Sequence, residues 1–253
     1  MILHDHAGEN PEYGYYPPVQ KVPGLSMRLY PVKFREWAYA HFGVFRPDPK
    51  DYSTITGAGS VVPVQVEAYF LALNACVDEN AAVLDVGFGL GYGLNILSIK
   101  AWEVSGVDVD EKVLEYCNGT LVGRNPRLKV LKLYDGCTLP FPDKAFDVVT
   151  CVDVIEHVPD YSHLIGEMMR VAKKGVFLST PNRRPENTNK DGTPKNYWHL
   201  REWSFPEFDE ISRKFGRVEW RFINGPYDGP FTISSELRSD TFALAPVIHK
   251  NEA

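Results

Sequence analysis

The sequence predicts an α/β protein: a doubly wound, mostly parallel seven-stranded sheet preceded by an N-terminal helical and irregular extension. Three observations carry this. A short apolar run, Ala81 to Leu84, reaches Asp85, and glycines then stand at every second position, Gly87, Gly89, Gly91 and Gly93. That is how a buried strand enters a tight turn whose backbone approaches a ligand closely. A second strand-like run, Trp102 to Val107, ends in Asp108, about 20 residues after the glycines, where an acidic side chain can hold a ribose diol. Strand and helix signals then alternate, which requires a parallel sheet with helices on both faces.

The elements follow in order. Residues 1–26 are rich in Tyr, Pro and Gly without a period and read as an irregular, packed arm. The stripe Tyr30, Phe34, Trp37 and His41 predicts a helix from Pro31 to Phe42, and residues 46–60 are loop-like. Ser60, Pro63 and an apolar run to Cys76 predict a buried helix leading into the core. Strand 81–86 is followed by helix 91–100, strand 102–108 by helix 110–122, and strand 128–133 by a loop. Strand 146–152 precedes a helix at 160–173, whose end is read at Lys173-Lys174-Gly175, basic residues with a C-terminal glycine. Strand 176–180, a last helix at 206–215 and strands 217–223 and 241–248 complete the sheet. Between those two strands, Asn224 to Asp240 is too long for a tight hairpin and rich in Gly, Pro and Ser, a loop of the functional kind. The organisation expected is an arm with helices at 1–77, capping a substrate, and a core at 78–253 carrying the 224–240 insertion.

Composition narrows the class. The chain has 253 residues, 44% hydrophobic and 24% charged, as globular proteins do. A net charge of −6 speaks against a surface built for nucleic-acid backbones. Cys76, Cys117, Cys137 and Cys151 have no paired spacing and read as reduced thiols. No apolar run is long enough to span a membrane and Met1 to Asn10 lacks a signal core, so a cytoplasmic protein without a membrane partner is expected.

The glycine spacing selects the cofactor. A dinucleotide fingerprint needs glycine where Tyr92 stands. Asp85 at the strand end suits an ammonium group better than a pyrophosphate, and S-adenosylmethionine (SAM) has an ammonium and a ribose but no phosphate. In these residues the chain resembles the class I SAM-dependent methyltransferases, a Rossmann-like family, over roughly residues 78–222. The resemblance implies that Asp85 holds the methionine ammonium, directly or through water, and Asp108 the ribose hydroxyls. It places Asp135, in Leu-Tyr-Asp-Gly-Cys, at the adenine amino group, with Gly87, Gly89, Gly91, Val109, Gly136 and Val152 completing the cofactor site. Any one of these aspartates could be a turn or cap residue; at three successive strand ends they make one site. The phrase at 139–149 resembles the family's approach to its fourth strand, with Pro140 and Pro142 shaping the loop and Phe146 packing beneath it. Phe88 stands where many relatives have cysteine, at a packing position.

The reaction centre is read after strand 146–152, in Asp153-Val154-Ile155-Glu156-His157-Val158, where one turn can point Asp153, Glu156 and His157 into the cleft. Downstream stand Ser179-Thr180-Pro181-Asn182-Arg183 and His199-Leu200-Arg201-Glu202-Trp203-Ser204. This pairing resembles two metal-assisted families. One is the small-RNA 3′-terminal 2′-O-methyltransferases, with Glu-x-x-Glu-His and a later His before Glu-Trp-Thr; the other is the ubiquinone-biosynthesis O-methyltransferases. Asp153 replaces the first Glu. The resemblance implies that Asp153, Glu156, His157 and His199 are the catalytic residues, and that with a divalent metal the same four are its ligands. Such an ion would lower the pKa of a coordinated hydroxyl, and imidazole ligands turn the preference away from Mg²⁺. In the metal-free alternative His157 or His199 is the general base, and many metal-free relatives carry similar Glu-His-Val and His-x-Arg phrases.

The function expected is SAM-dependent O-methylation of a small-molecule acceptor, a sugar, polyketide-type or other alcohol or phenol. Tyr13, Tyr15, Tyr16, Tyr30, Phe34 and Trp37, with the 224–240 loop, would form a lid, or equally fill a core. An RNA 2′-O-methyltransferase is the alternative, opposed by the acidic charge. A non-catalytic SAM-binding scaffold is the alternative of another class, opposed by the cofactor aspartates together with two cleft histidines. Acceptor atom and oligomeric state stay open.

Overall fold

A computed structural model describes residues 62–251 apart from 124, 197 and 227–230; the expected arm, the helix at 31–42 and the loop at 46–60 lie outside the described residues. Helix α1 (Pro63–Ala75) begins at a proline, whose missing N–H falls among the donors a first turn leaves unpaired anyway. It has no solvent face: every residue from Val64 to Leu73 is buried, including Gln65 and Glu67. The stretch from Val62 to Val77 belongs to the same apolar cluster as strand residues Val83 and Val104. The described part of the expected cap is therefore packed into the core.

Strands β1 (Ala82–Val86), β2 (Glu103–Asp108) and β3 (Leu128–Leu133) pair in parallel, and β4 (Phe146–Val152) and β5 (Ala172–Pro181) extend the parallel sheet from the other side of β1. Strands β6 (Arg217–Asn224), β7 (Thr232–Ser234) and β8 (Thr241–His249) join antiparallel, giving the order β3-β2-β1-β4-β5-β8-β6-β7. Among the described residues the sheet thus has eight strands rather than the expected seven. The eighth, β7, lies inside the segment read as a loop. Asn224 supports it, donating to the Thr232 carbonyl at 3.2 Å and to Ser234 Oγ at 3.0 Å. A three-residue edge strand among Gly, Pro and Ser leaves no alternation to read.

Helices α2 (Tyr92–Leu97) and α3 (Glu111–Thr120) follow β1 and β2. Asp110 caps α3 by accepting the Lys112 and Val113 N–H groups. Helix α4 (Tyr161–Val171) precedes β5, and α5 (Phe205–Arg213) starts at a capping box of Ser204 and Glu207. Lys173, Lys174 and Gly175 do not end α4 as expected. The helix stops at Val171 and these residues are already strand, Gly175 lying opposite Val148 and His249. A Cβ on Gly175 would come 2.4 Å from the Ile248 carbonyl oxygen, so this glycine serves the close approach of β8.

Side chains on successive strand residues face opposite ways. Val83 joins the cluster beneath α1, α2 and α3, while Leu84 and Val86 join the one beneath α4 and α5. The connections leave β1 and β4 toward opposite sides of the sheet, and ligands bind beyond the carboxyl ends of the strands at such a switch point.

Candidate active site

Beyond the ends of β1, β2 and β4 lies a cavity of about 270 Å³. Gly87, Gly89, Asp108, Val109, Asp135, Gly136 and Val152 line it, together with Tyr134 and Gln65, which the sequence reading did not single out. Asp108 anchors the glycine turn to β2: its Oδ2 accepts the Gly89 N–H at 2.9 Å and its Oδ1 the Asp110 N–H at 3.0 Å. Asp135 accepts the N–H groups of Cys137 and Thr138 on one oxygen, at 2.9 and 2.7 Å. Those bonds, Thr138 first, hold its carboxyl below the usual range.

Two expected cofactor residues do not line this cavity. Asp85 follows the alternation of β1 toward α1, where Tyr69 donates to its Oδ2 at 3.0 Å and Thr150 to its Oδ1 at 2.7 Å. Burial pushes its pKa up to about 7 against those two bonds. Gly91 caps α2 with φ 79°, and a Cβ there would lie 2.4 Å from Leu121 Cδ1 and 3.1 Å from Cys117 Sγ. It packs the turn against the end of α3.

A second cavity, of about 340 Å³, adjoins the first; Gln65, Asp153 and His157 line both. Glu156 and His199 line the second, with Asn196, Glu202, Arg184, Val62, Pro181 and Phe242. The loop carrying His199 is tied to the turn after β4. Leu200 and Arg201 donate their N–H groups to the Glu156 carbonyl at 3.0 and 3.4 Å, and the Arg201 guanidinium donates to the carbonyls of Val158 and Pro159. The rings of His157 and His199 meet edge to face, centroids 4.8 Å apart.

Their hydrogen bonds define the tautomers. His157 Nδ1 lies 2.7 Å from the Trp198 carbonyl, which only accepts, so Nδ1 carries a proton and, in the neutral ring, the lone pair is on Nε2. Asn196 Oδ1 takes the Trp198 N–H at 3.0 Å, turning its amide nitrogen to His199 Nε2 at 2.8 Å. His199 Nδ1 faces Glu202 Oε1 at 2.6 Å. Burial drives His199 down to about 3 and Glu202 up to about 7. Burial first, then the Asp153 charge, raises Glu156 well above the carboxylate range. At neutral pH His199 is a neutral imidazole that donates to Glu202. The orienting roles of Asn196, Trp198 and Glu202 are set by three-dimensional pairing, although Glu202 lies in the same short segment as His199.

Glu156, His157 and His199 offer ligand atoms that all lie within 4.8 Å of one another, a donor set of the type a divalent transition ion takes. Glu156 Oε1 is buried without a protein partner. The set fits such an ion, on condition that His199 exchanges one of its two ring contacts. Asp153, expected as a fourth ligand, stands outside the group. Its backbone is left-handed, φ 51°, with its N–H on the Ser179 carbonyl at 3.0 Å and its Oδ1 accepting Ser179 Oγ at 2.6 Å.

A glycine turn, a carboxylate ending β2 and a cavity at the β1/β4 switch point define a nucleoside-binding α/β protein. Residues 84–180 match a family described as Methyltransferase domain. A probable S-adenosylmethionine-dependent methyltransferase of Mycobacterium tuberculosis is 31% identical over 186 residues, 70% of this chain and 65% of that protein. A Mycolicibacterium smegmatis relative described in the same terms is 33% identical over 171 residues, 64% of each chain. This chain therefore spans just under two thirds of their length. A ubiquinone biosynthesis O-methyltransferase of Nitrosomonas europaea is 32% identical over 107 residues, 42% of this chain and 46% of that one. A putative methyltransferase from Bacillus halodurans shares the fold with a TM-score of 0.55 and 18% identity, over 74% of this chain and 99% of its own. Residues 84–180 thus carry a methyltransferase domain, on a fold shared with solved methyltransferases, and these relatives are described as SAM-dependent.

Proposed function

We propose that this protein transfers the methyl group of SAM to an oxygen of a small acceptor, with SAM in the 270 Å³ cavity and the acceptor in the 340 Å³ cavity. The observation that carries this reading is the wall the two cavities share, Gln65, Asp153 and His157. Adenine lies at Asp135 and ribose at Asp108, which leaves the sulfonium at that wall. The acceptor oxygen attacks the methyl carbon, the carbon–sulfur bond breaks with its electron pair going to sulfur, and the hydroxyl proton passes to a base. His157 Nε2 is that base. Burial holds the Glu156 carboxyl well above the carboxylate range, and His199 has both nitrogens engaged. The acidic balance of the chain and the pocket-sized second cavity support a small acceptor over RNA, and the ubiquinone-biosynthesis relatives are compatible with oxygen as the recipient.

His157→Ala should lower turnover by about a hundredfold or more with SAM affinity unchanged, measured by methyl transfer from labelled SAM across a panel of catechols, polyols and glycosides. Retained turnover in the variant would remove His157 as the base. The second reading rests on the three ligand atoms within 4.8 Å: Glu156, His157 and His199 hold a divalent ion, which lowers the pKa of a bound hydroxyl. Dialysis against a chelator separates the two. Turnover that survives it rejects the ion; turnover lost and restored by Mn²⁺ or Co²⁺ requires it.

A further inference from the structure

Gln65 reaches the shared wall from α1, ahead of every cofactor motif in the sequence. Its hydrogen bonds define how its amide is turned. Tyr92, in the first turn of α2, donates its hydroxyl to Gln65 Oε1. The amide nitrogen faces Asp153, whose carboxylate accepts a hydrogen bond from the Gln65 side chain as well as from Ser179 Oγ. A chain of four side chains, Tyr92, Gln65, Asp153 and Ser179, thus ties α2, α1, the turn after β4, and β5 together where the cavities meet. Asp153 holds a left-handed backbone, a conformation that residues other than glycine rarely adopt. Its backbone and side-chain bonds to Ser179 and the bond from Gln65 keep it there.

We propose that Gln65 is a positioning residue for methyl transfer: it holds the Asp153 carboxylate toward the sulfonium of SAM, so that the site distinguishes the cofactor from its demethylated product, whose sulfur is uncharged. This rests on the SAM orientation proposed above. Before transfer the sulfur carries a positive charge that a nearby carboxylate attracts. Afterwards the carbon–sulfur electron pair has returned to sulfur and that attraction is gone. The same carboxylate therefore favours binding of SAM and release of S-adenosylhomocysteine. Without Gln65, Asp153 keeps Ser179 as its side-chain donor but loses the contact that turns it to the cofactor.

The test is calorimetry of the full chain with SAM and, separately, S-adenosylhomocysteine, which needs no acceptor. Gln65→Leu should weaken SAM about tenfold while S-adenosylhomocysteine stays within about twofold. Gln65→Met keeps the length of the side chain without a charge and offers Asp153 no donor; it should act alike and serves if the leucine variant does not fold. Asp153→Asn should lower the ratio of the two affinities similarly, and Gln65→Leu added to it should change that ratio no further. Equal weakening of both ligands by the Gln65 variants would make the residue a packing element and overturn the proposal, as would an unchanged ratio or full additivity with Asp153→Asn. Wild-type protein that binds neither ligand would overturn the cofactor reading itself.

Discussion

Asp85→Asn should stabilise the ligand-free protein at alkaline pH and slightly destabilise it at acid pH. The carboxyl is completely buried, and desolvation carries its pKa from 3.8 to about 7 despite hydrogen bonds from Thr150 and Tyr69. A folded-state pKa above the unfolded value means that no penalty exists below about pH 4. Stability is then lost as the pH rises from there through about 7. At about 1.4 kcal/mol per pH unit, the gap amounts to about 4 kcal/mol of lost stability by pH 8. Asparagine removes that penalty and forfeits one hydrogen bond to a charged group, about 1.5–2 kcal/mol. Thr150 softens the loss, because its hydroxyl can turn to the Leu84 carbonyl at 3.4 Å and accept from the new amide. The net gain expected is about 2–3 kcal/mol at pH 8, reversing to a loss of about 1 kcal/mol near pH 3.5. Urea denaturation of both proteins across that range, with midpoints converted at a common slope, reads the difference directly. A difference that does not vary with pH would mean that Asp85 does not titrate as its burial requires, and the reasoning would fail.

Two further outcomes follow from the same geometry. Asp108→Ala should weaken SAM by about 1.5–3 kcal/mol in calorimetry, the range for hydrogen bonds to a charged group. Asp85→Asn should weaken it less, because Asp85 does not line the cavity; the opposite order would return Asp85 to direct contact with the ligand. Gly175→Ala should cost about 1–3 kcal/mol in urea denaturation, since its Cβ would meet the Ile248 carbonyl at 2.4 Å, whereas a helix-capping role would predict that SAM binding and the β8 pairing are equally indifferent to it.

The strand ends were legible because their chemistry is local. Asp108 ends β2 and Asp135 stands two residues beyond β3, and each accepts backbone N–H groups two or three residues further on, so position along the chain is enough to place them. The same holds for β3 and β4, which match the expected strands 128–133 and 146–152. Gln65 was readable only in part: a buried helix was evident, and a polar residue in its apolar run was the available signal.

From sequence alone come the doubly wound sheet, the nucleoside site at the first turn and the choice of SAM over a dinucleotide, since periodicity, glycine spacing and strand-end carboxylates act over a few residues. Tertiary structure decided the rest. Asp85 is turned from the cavity by strand alternation and held by Tyr69 and Thr150, 16 and 65 residues away. His157 receives its tautomer from Trp198, 41 residues on. Gln65 reaches Asp153 only because α1 packs beside α2 above the sheet. Each depends on a hydrogen bond between distant segments, and the direction of such a bond is settled only when the packed core brings its two partners together.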